Sequence, residues 1–394
     1  MPKVRVVFML AILLVCVLAG GTIPVAAGPV ERGFKVLKPI ESGGLTLFPV
    51  VRSDGRSGPG NSFLTLDEGL KSGEVEVTEA GRALSLVRSR GGATSGYRGD
   101  QVNTLMLINH SKRPVLLLAG EIVTGGKQDR VIAKDRIVPA DADPIDLSVF
   151  CIEHGRWTGA SDSFDATAKT SARSFMVQPA VRQQAMVTKD QQQVWNSVSE
   201  TISVMASASE PISSSRSVDG VSGGSGGLRS GSEASLGTTS YAKAMQLGAV
   251  SVKVDEASAG LTESREKVLA MLKQEHAIGV VVAVRGEVIW ADVFANTDLL
   301  DRYWTKLVRS YAAEVLSGAG RHEAATMEDA QRFLESPMEG VETSEGETGV
   351  YRYREVKTRA TDEFALESLL PGVACDVHIS RLKIKSGRGR VISY

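Results

Sequence analysis

Apolar and polar positions change period several times along this chain, and each change predicts an element. Lys3 and Arg5 precede an unbroken apolar run from Val6 to Leu18, and Val25-Ala26-Ala27 supplies small residues after it. That is the pattern of a secretory signal peptide over 1–27, shorter than a membrane span. Leu45 to Val51 reads as a strand, and Thr65 caps a short helix that ends at Gly69 or Gly73. Glu74 to Glu79 alternates as a half-buried strand does. Val102–Ile108 and Pro114–Ala119 are apolar runs on either side of the polar stretch Asn109 to Arg113, which predicts a hairpin. Asp129–Ile137 and Ile145–Ile152 read as two further strands.

After residue 180 the period becomes helical. Gln183, Met186, Val187, Val194, Val198 and Ile202 predict one long helix over 180–206, interrupted near Lys189. Residues 212–240 are rich in Ser and Gly, too poor in apolar surface to offset their ordering entropy, and predict a flexible insertion. A helix over Glu263–Gln274 and a hairpin of Ile278–Val284 with Glu287–Phe294 follow. The widest apolar face lies at 297–316, with Asn296 or Thr297 as its cap. A helix near 327–335 and strands near 349–357, 373–380 and 388–393 complete the pattern. The expected fold class is α+β, a strand-rich mixed and antiparallel core with flanking long helices. Its expected organisation is a domain at 35–318 carrying the insertion, then a C-terminal extension at 319–394 that either docks on the domain or adds strands.

Composition narrows the function only slightly. The chain carries 45 Lys and Arg against 46 Asp and Glu. Losing residues 1–27 removes only Lys3 and Arg5, which takes the net charge from −1 to −3. A general nucleic-acid binder needs a basic surplus, so that class is excluded. No other long apolar run is present, so no membrane span is expected after signal cleavage. The expected location is outside the cytoplasm, periplasmic or extracellular. There, Cys151 and Cys375 could form one disulfide or remain buried thiols.

Several motifs fail on context. Gly223 to Gly227 fits G-x-S-x-G, but it lies in the low-complexity tract with no strand before it. Gly120 to Lys127 misses phosphate-loop spacing by one residue. The histidines at 110, 154, 276, 322 and 378 are far apart, and neither HExxH nor CxxC occurs, so no metal site is read. No motif names a cofactor.

Two segments remain. In the first, a buried strand runs into Glu121, turns at Gly125-Gly126 and emerges as Lys127-Gln128-Asp129-Arg130. In the second, Phe150-Cys151-Ile152 ends in Glu153-His154-Gly155-Arg156-Trp157. Polar residues gathered at strand ends are where such folds place sites. Glu121 and Glu153 are the candidate acid–base groups, and Lys127, Gln128, Arg130, Arg156 and Trp157 the candidate ligand holders. Each carboxylate also has a bland reading as half of an ion pair closing a sheet. Together the two clusters point to a small anionic or polyhydroxylated ligand.

The same segments carry a family likeness. Gly120-Glu121, Gly126 to Arg130 and Cys151 to Trp157 resemble the signature of the ARG and rhodanese-phosphatase-superfamily-associated protein domain. Leu47-Phe48-Pro49, Leu64 to Gly69, Asp190 to Trp195 and Arg302 to Leu307 are similar to its other stretches, so the likeness spans about 35–318. It implies a role near NAD- or ADP-ribose-type metabolites, without a reaction. The signal peptide, the Ser/Gly insertion and the extension after residue 320 are departures from the plain domain.

Overall fold

A computed structural model describes residues 33–59, 62–80, 105–155, 164–165, 175–209, 236–262, 265–317, 323–337 and 339–384. The predicted signal peptide, residues 212–235 of the insertion, the 388–393 strand, Arg156 and Trp157 lie outside the described residues.

The chain begins with β1 (Phe34–Val36), β2 (Ile40–Ser42) and β3 (Leu45–Arg52). A β-rich unit follows, built from β4 (Leu64–Thr65), α1 (Leu66–Ser72), β5 (Val75–Glu79), β6 (Leu105–Asn109) and β7 (Val115–Leu117). It continues through β8 (Ile122–Gly125), β9 (Arg130–Ile132), β10 (Arg136–Val138), β11 (Ile145–Asp146), β12 (Val149–Cys151) and β13 (Phe164–Asp165). Helices come next: α2 (Pro179–Gln183), α3 (Gln191–Ser209), α4 (Tyr241–Gln246), α5 (Gly248–Thr262) and α6 (Arg265–Gln274). The hairpin β14 (Gly279–Val284) and β15 (Glu287–Phe294) leads into α7 (Thr297–Ser317) and α8 (Met327–Glu335). Four strands close the chain: β16 (Val341–Glu347), β17 (Tyr351–Lys357), β18 (Thr361–Ser368) and β19 (Cys375–Lys383).

The fold is α+β. Nine strands make one antiparallel sheet in the order β1-β3-β14-β15-β19-β18-β17-β16, with β2 also on β3. The residues after 319 therefore add strands, and β19 pairs directly with β15. One face of the sheet packs on α7 and the other helices, where Leu47, Val282, Trp290 and Phe364 meet Tyr303, Leu307 and Tyr311. The other face is covered by α8 through Ala330 and Phe333 on Phe48, Val50 and Val281. Smaller sheets of the β-rich unit enclose a second apolar cluster around Leu66, Val77, Leu107 and Val149. No helix among the described residues is long and apolar enough to cross a membrane.

Local chemistry explains the boundaries. Thr65 and Glu68 form a reciprocal capping box on α1, and Gly73 ends it at φ 75°. Asn296 caps α7 by accepting from Leu299 N at 2.9 Å. The long 180–206 helix is broken where expected: a π turn at Gln184–Thr188 leads to Lys189 at φ 53° before α3 begins.

The hairpin predicted at 102–119 is not formed. β6 pairs with β5 and β11, whereas β7 pairs with β10 and with β4. The Asn109 amide donates to Arg113 O at 2.9 Å and to Pro139 O at 2.7 Å, and so winds the loop away from a tight turn. The strands predicted at 129–137 and 145–152 are each split. Asp135 interrupts the first by turning its carboxylate to Ala119 N at 2.7 Å. Ser148 interrupts the second at φ 49°.

Candidate functional site

The β8–β9 turn sets the geometry of the first motif. Gly125 and Gly126 have φ of 123° and 50°, a path that disfavours side chains. Asp129 Oδ1 accepts Gly125 N at 3.1 Å and closes the turn. Register then brings the second motif alongside, because β12 pairs with β9 with Cys151 opposite Arg130. Glu153 Oε2 accepts Asp129 N at 3.3 Å, and Ile152 N donates to Asp129 O at 3.1 Å. Two segments separated in sequence thus form one cluster.

Its members are mostly internal. Gln128, Asp129, Arg130 and Glu153 are all buried, Arg130 completely. Arg130 Nη1 donates to Gln128 O at 2.6 Å. Lys127 is half-buried, and its backbone N–H donates to Glu79 Oε1 at 3.1 Å. The end of the predicted insertion enters here too. Ser240 Oγ donates to Asp129 Oδ2 at 2.8 Å, and Lys243 Nζ lies 3.3 Å from Glu153 Oε1. Thr239 Oγ1 donates to the carbonyl of exposed His154 at 2.7 Å. The His154 ring meets Trp195 edge-on at 4.8 Å between centroids. Glu79, Ser240 and Lys243 carry no motif, and only folding reveals them.

Cys151 is buried in this cluster. Burial pushes its thiol up to about 11, against the opposing pull of Arg130. Burial likewise pushes Cys375 up to about 11, with Asp376 adding to the effect. Both are free thiols in the structure, Cys151 buried and Cys375 half-buried.

Glu121 belongs to a different place. Its carboxylate is 1% exposed, accepts Leu118 N at 2.7 Å and lies 2.7 Å from Lys306 Nζ. Lys306 also reaches Asp67 at 2.6 Å and sits over the Tyr303 ring. Burial raises the Glu121 carboxyl above its ordinary range while Lys306 opposes that rise. For Lys306, burial favours loss of the proton, but Asp67 and Glu121 override it and keep the ammonium charged. Glu121 thus fastens α7 to the β-rich unit through Lys306, which it shares with Asp67.

A third charged group has no counterpart in the sequence reading. Arg182, Asp292, Asp135 and His378 are buried together, with Ser380 and Tyr311 around them. Arg182 clasps Asp292 through two hydrogen bonds of 2.8 and 2.9 Å. Ser380 donates to Asp292 at 2.7 Å, and Tyr311 donates to its other oxygen. His378 Nδ1 is 2.6 Å from Asp135. Its Nε2 is 3.1 Å from Asp292 Oδ1, an ion-pair contact without the alignment of a hydrogen bond. The available signal was a polar residue set among apolar neighbours in each strand, Asp292 in β15 and His378 in β19. Among the described residues no group of His, Cys, Asp and Glu is arranged to hold a metal ion.

With this geometry in place, comparison adds a decisive match. The family model described as the ARG and Rhodanese-Phosphatase-superfamily-associated Protein domain matches residues 33–380. The chain belongs to this family. Comparisons with curated proteins and with solved structures give no match.

The motif residues of this chain serve more than one purpose. Gly120 belongs to the scaffold: its φ is +94°, and a Cβ there would lie 2.9 Å from Arg182 Cδ. Lys127 to Arg130 with Glu153 and His154 make the cluster that reaches the surface. Gln191, in the 190–195 stretch, grips both backbone polar groups of Cys151 at 2.9 Å and takes the place of a further strand.

Proposed function

We propose that this family member binds a small anionic, phosphate- or ribosyl-bearing metabolite at the cluster of Lys127–Arg130, Glu153, His154 and Lys243. One observation carries the reading: the two polar motifs converge across the β9–β12 pair, with half-buried Lys127 and exposed His154 and Lys243 at the edge of a buried polar interior. The two lysines at this edge suit an anion, and buried hydrogen-bonding groups suit a polar body. The association with ADP-ribose chemistry rests on the family's description alone. Glu153 is the acid–base candidate at this cluster, because Glu121 is already committed to Lys306 away from it.

Thermal-shift measurements on the protein test the reading, with ADP-ribose, NAD, sugar phosphates and inorganic phosphate as probes. Binding to the native state raises the transition by mass action. The expected result is a concentration-dependent rise with at least one phosphate-bearing probe, reduced in Lys127→Ala and Lys243→Ala. No shift with any of them contradicts the reading.

A second reading, an exported protein that binds or supports without turning anything over, is favoured by the prior engagement of Glu121 and Glu153 in ion pairs. It is distinguished by product formation: a bound probe recovered unchanged supports it. Export itself is proposed from the 1–27 pattern. Fractionating cells that express the full chain and sequencing the N-terminus of the product test it, with uncleaved protein in the cytoplasm as the contrary result.

A further inference from the structure

The polar interior of the cluster retains unused hydrogen-bonding capacity, and the kind of capacity identifies what part of a ligand it takes. Glu79 Oε2 and Gln128 Oε1 are buried and have no hydrogen-bond partner. Both residues are at least nine-tenths buried, and Glu79 Oε1 holds the backbone of Lys127, the residue next to Gln128. Both open positions are acceptors. A buried acceptor left empty loses its hydration without compensation, so the group that satisfies it contributes strongly to binding. Such a group must bring O–H or N–H donors.

Charge and a third open position distinguish among donors. Cations already stand at this cluster, with Lys243 on Glu153 and Arg130 buried against the Gln128 carbonyl, so an ammonium group would meet like charge. Trp195 Nε1, on the indole that meets His154, is also buried without a partner, and it is a donor. A hydroxyl is the neutral group that both donates and accepts. An amine would leave the indole unsatisfied, and a bare phosphate would set its oxygens against the two acceptors.

We infer that Glu79 and Gln128 take the hydroxyl groups of a sugar ring, so that the ligand enters hydroxyls first with its phosphate at the Lys127 and Lys243 edge. This rests on the reading of the cluster as a ligand site, and it adds orientation and the source of selectivity. A site built to bond hydroxyls rejects an analogue lacking them because its own acceptors are then stranded.

Calorimetric titration of the protein with three probes tests the inference: ribose 5-phosphate, tetrahydrofurfuryl phosphate (the same ring and phosphate without the ring hydroxyls) and inorganic phosphate. The expected result is binding of ribose 5-phosphate at least about tenfold tighter than the ring analogue or phosphate. In Gln128→Leu that preference should shrink, with circular dichroism confirming that the variant is folded. Equal affinity for all three probes overturns the inference while the anion site stands. Binding of none of them overturns both.

Discussion

Gly120 illustrates how one backbone position can support a distant charge. The chain passes it at φ +94° against the Arg182 side chain, which is then free to clasp Asp292. Gly120→Ala should therefore destabilise the fold by roughly 1–3 kcal/mol, measured by urea unfolding. Lys306 makes a sharper case. Replacing it with Met leaves Glu121 buried without its cation and should cost about 3–5 kcal/mol. His378 gives a dependence on pH. Burial alone would lower its pKa, but Asp135 and Asp292 override burial and raise it to about 9 from an ordinary 6.5. The groups packed around it are those two carboxylates, Arg182 bound to Asp292, and the Phe294 ring at 4.6 Å. A raised folded-state pKa stabilises the protein fully below about pH 6.5, and that stability is lost as pH climbs through about 9. The loss should approach ~3 kcal/mol, and His378→Gln should flatten the alkaline limb of stability measured against pH.

At the scale of elements, two glutamines close strand edges. Gln191 from α3 satisfies Cys151 on β12. Gln331 from α8 bonds Val36 N at 2.8 Å and Phe34 O at 2.9 Å on β1. Unpaired strand edges invite association, and a side-chain amide that copies a strand's donor and acceptor blocks it. Gln191→Leu should cost roughly 1–3 kcal/mol in urea unfolding by stranding two backbone groups. Legibility differs among the elements for a related reason. Helix α7 was readable because Leu299, Tyr303, Leu307 and Tyr311 repeat on one face, and the break near Lys189 was readable from the lapse in that period. Strands β16 and β18 were not. β16 is an exposed edge with little apolar content, and β18 buries Asp362 and Glu363 where a pattern reader expects polar residues outside. Helix α5 is built largely from small residues, so its sequence shows no strong apolar stripe. The failed hairpin at 102–119 shows that two apolar runs specify strands, whereas the loop between them decides their partners.

For the molecule as a whole, the nine-stranded sheet unites the first and last described strands. β19 lies between β15 and β18 and carries His378 and Ser380, so residues after 319 are part of the core. A chain ended at residue 320 should fail to fold, appearing as lost solubility or a missing cooperative transition in calorimetry. The match over 33–380 agrees with that continuity. The candidate site was half legible. Lys127, Gln128, Arg130 and Glu153 stood in visible motifs, but Glu79, Ser240 and Lys243 join them only through pairing, and Glu121 left for the Lys306 contact. Strand register, unlike composition, depends on partners far away in sequence, so the motifs alone do not specify it.

The central claim is that the Lys127–Arg130 and Glu153 cluster is a binding site for a phosphate-bearing metabolite. Isothermal titration of the protein with ADP-ribose, beside the Lys127→Ala/Lys243→Ala double variant, tests it most directly. The account predicts saturable binding that weakens with added salt and falls at least about tenfold in the variant. Binding of equal strength in both proteins, or no binding to the unaltered chain by ADP-ribose or by ribose 5-phosphate titrated in its place, would contradict it.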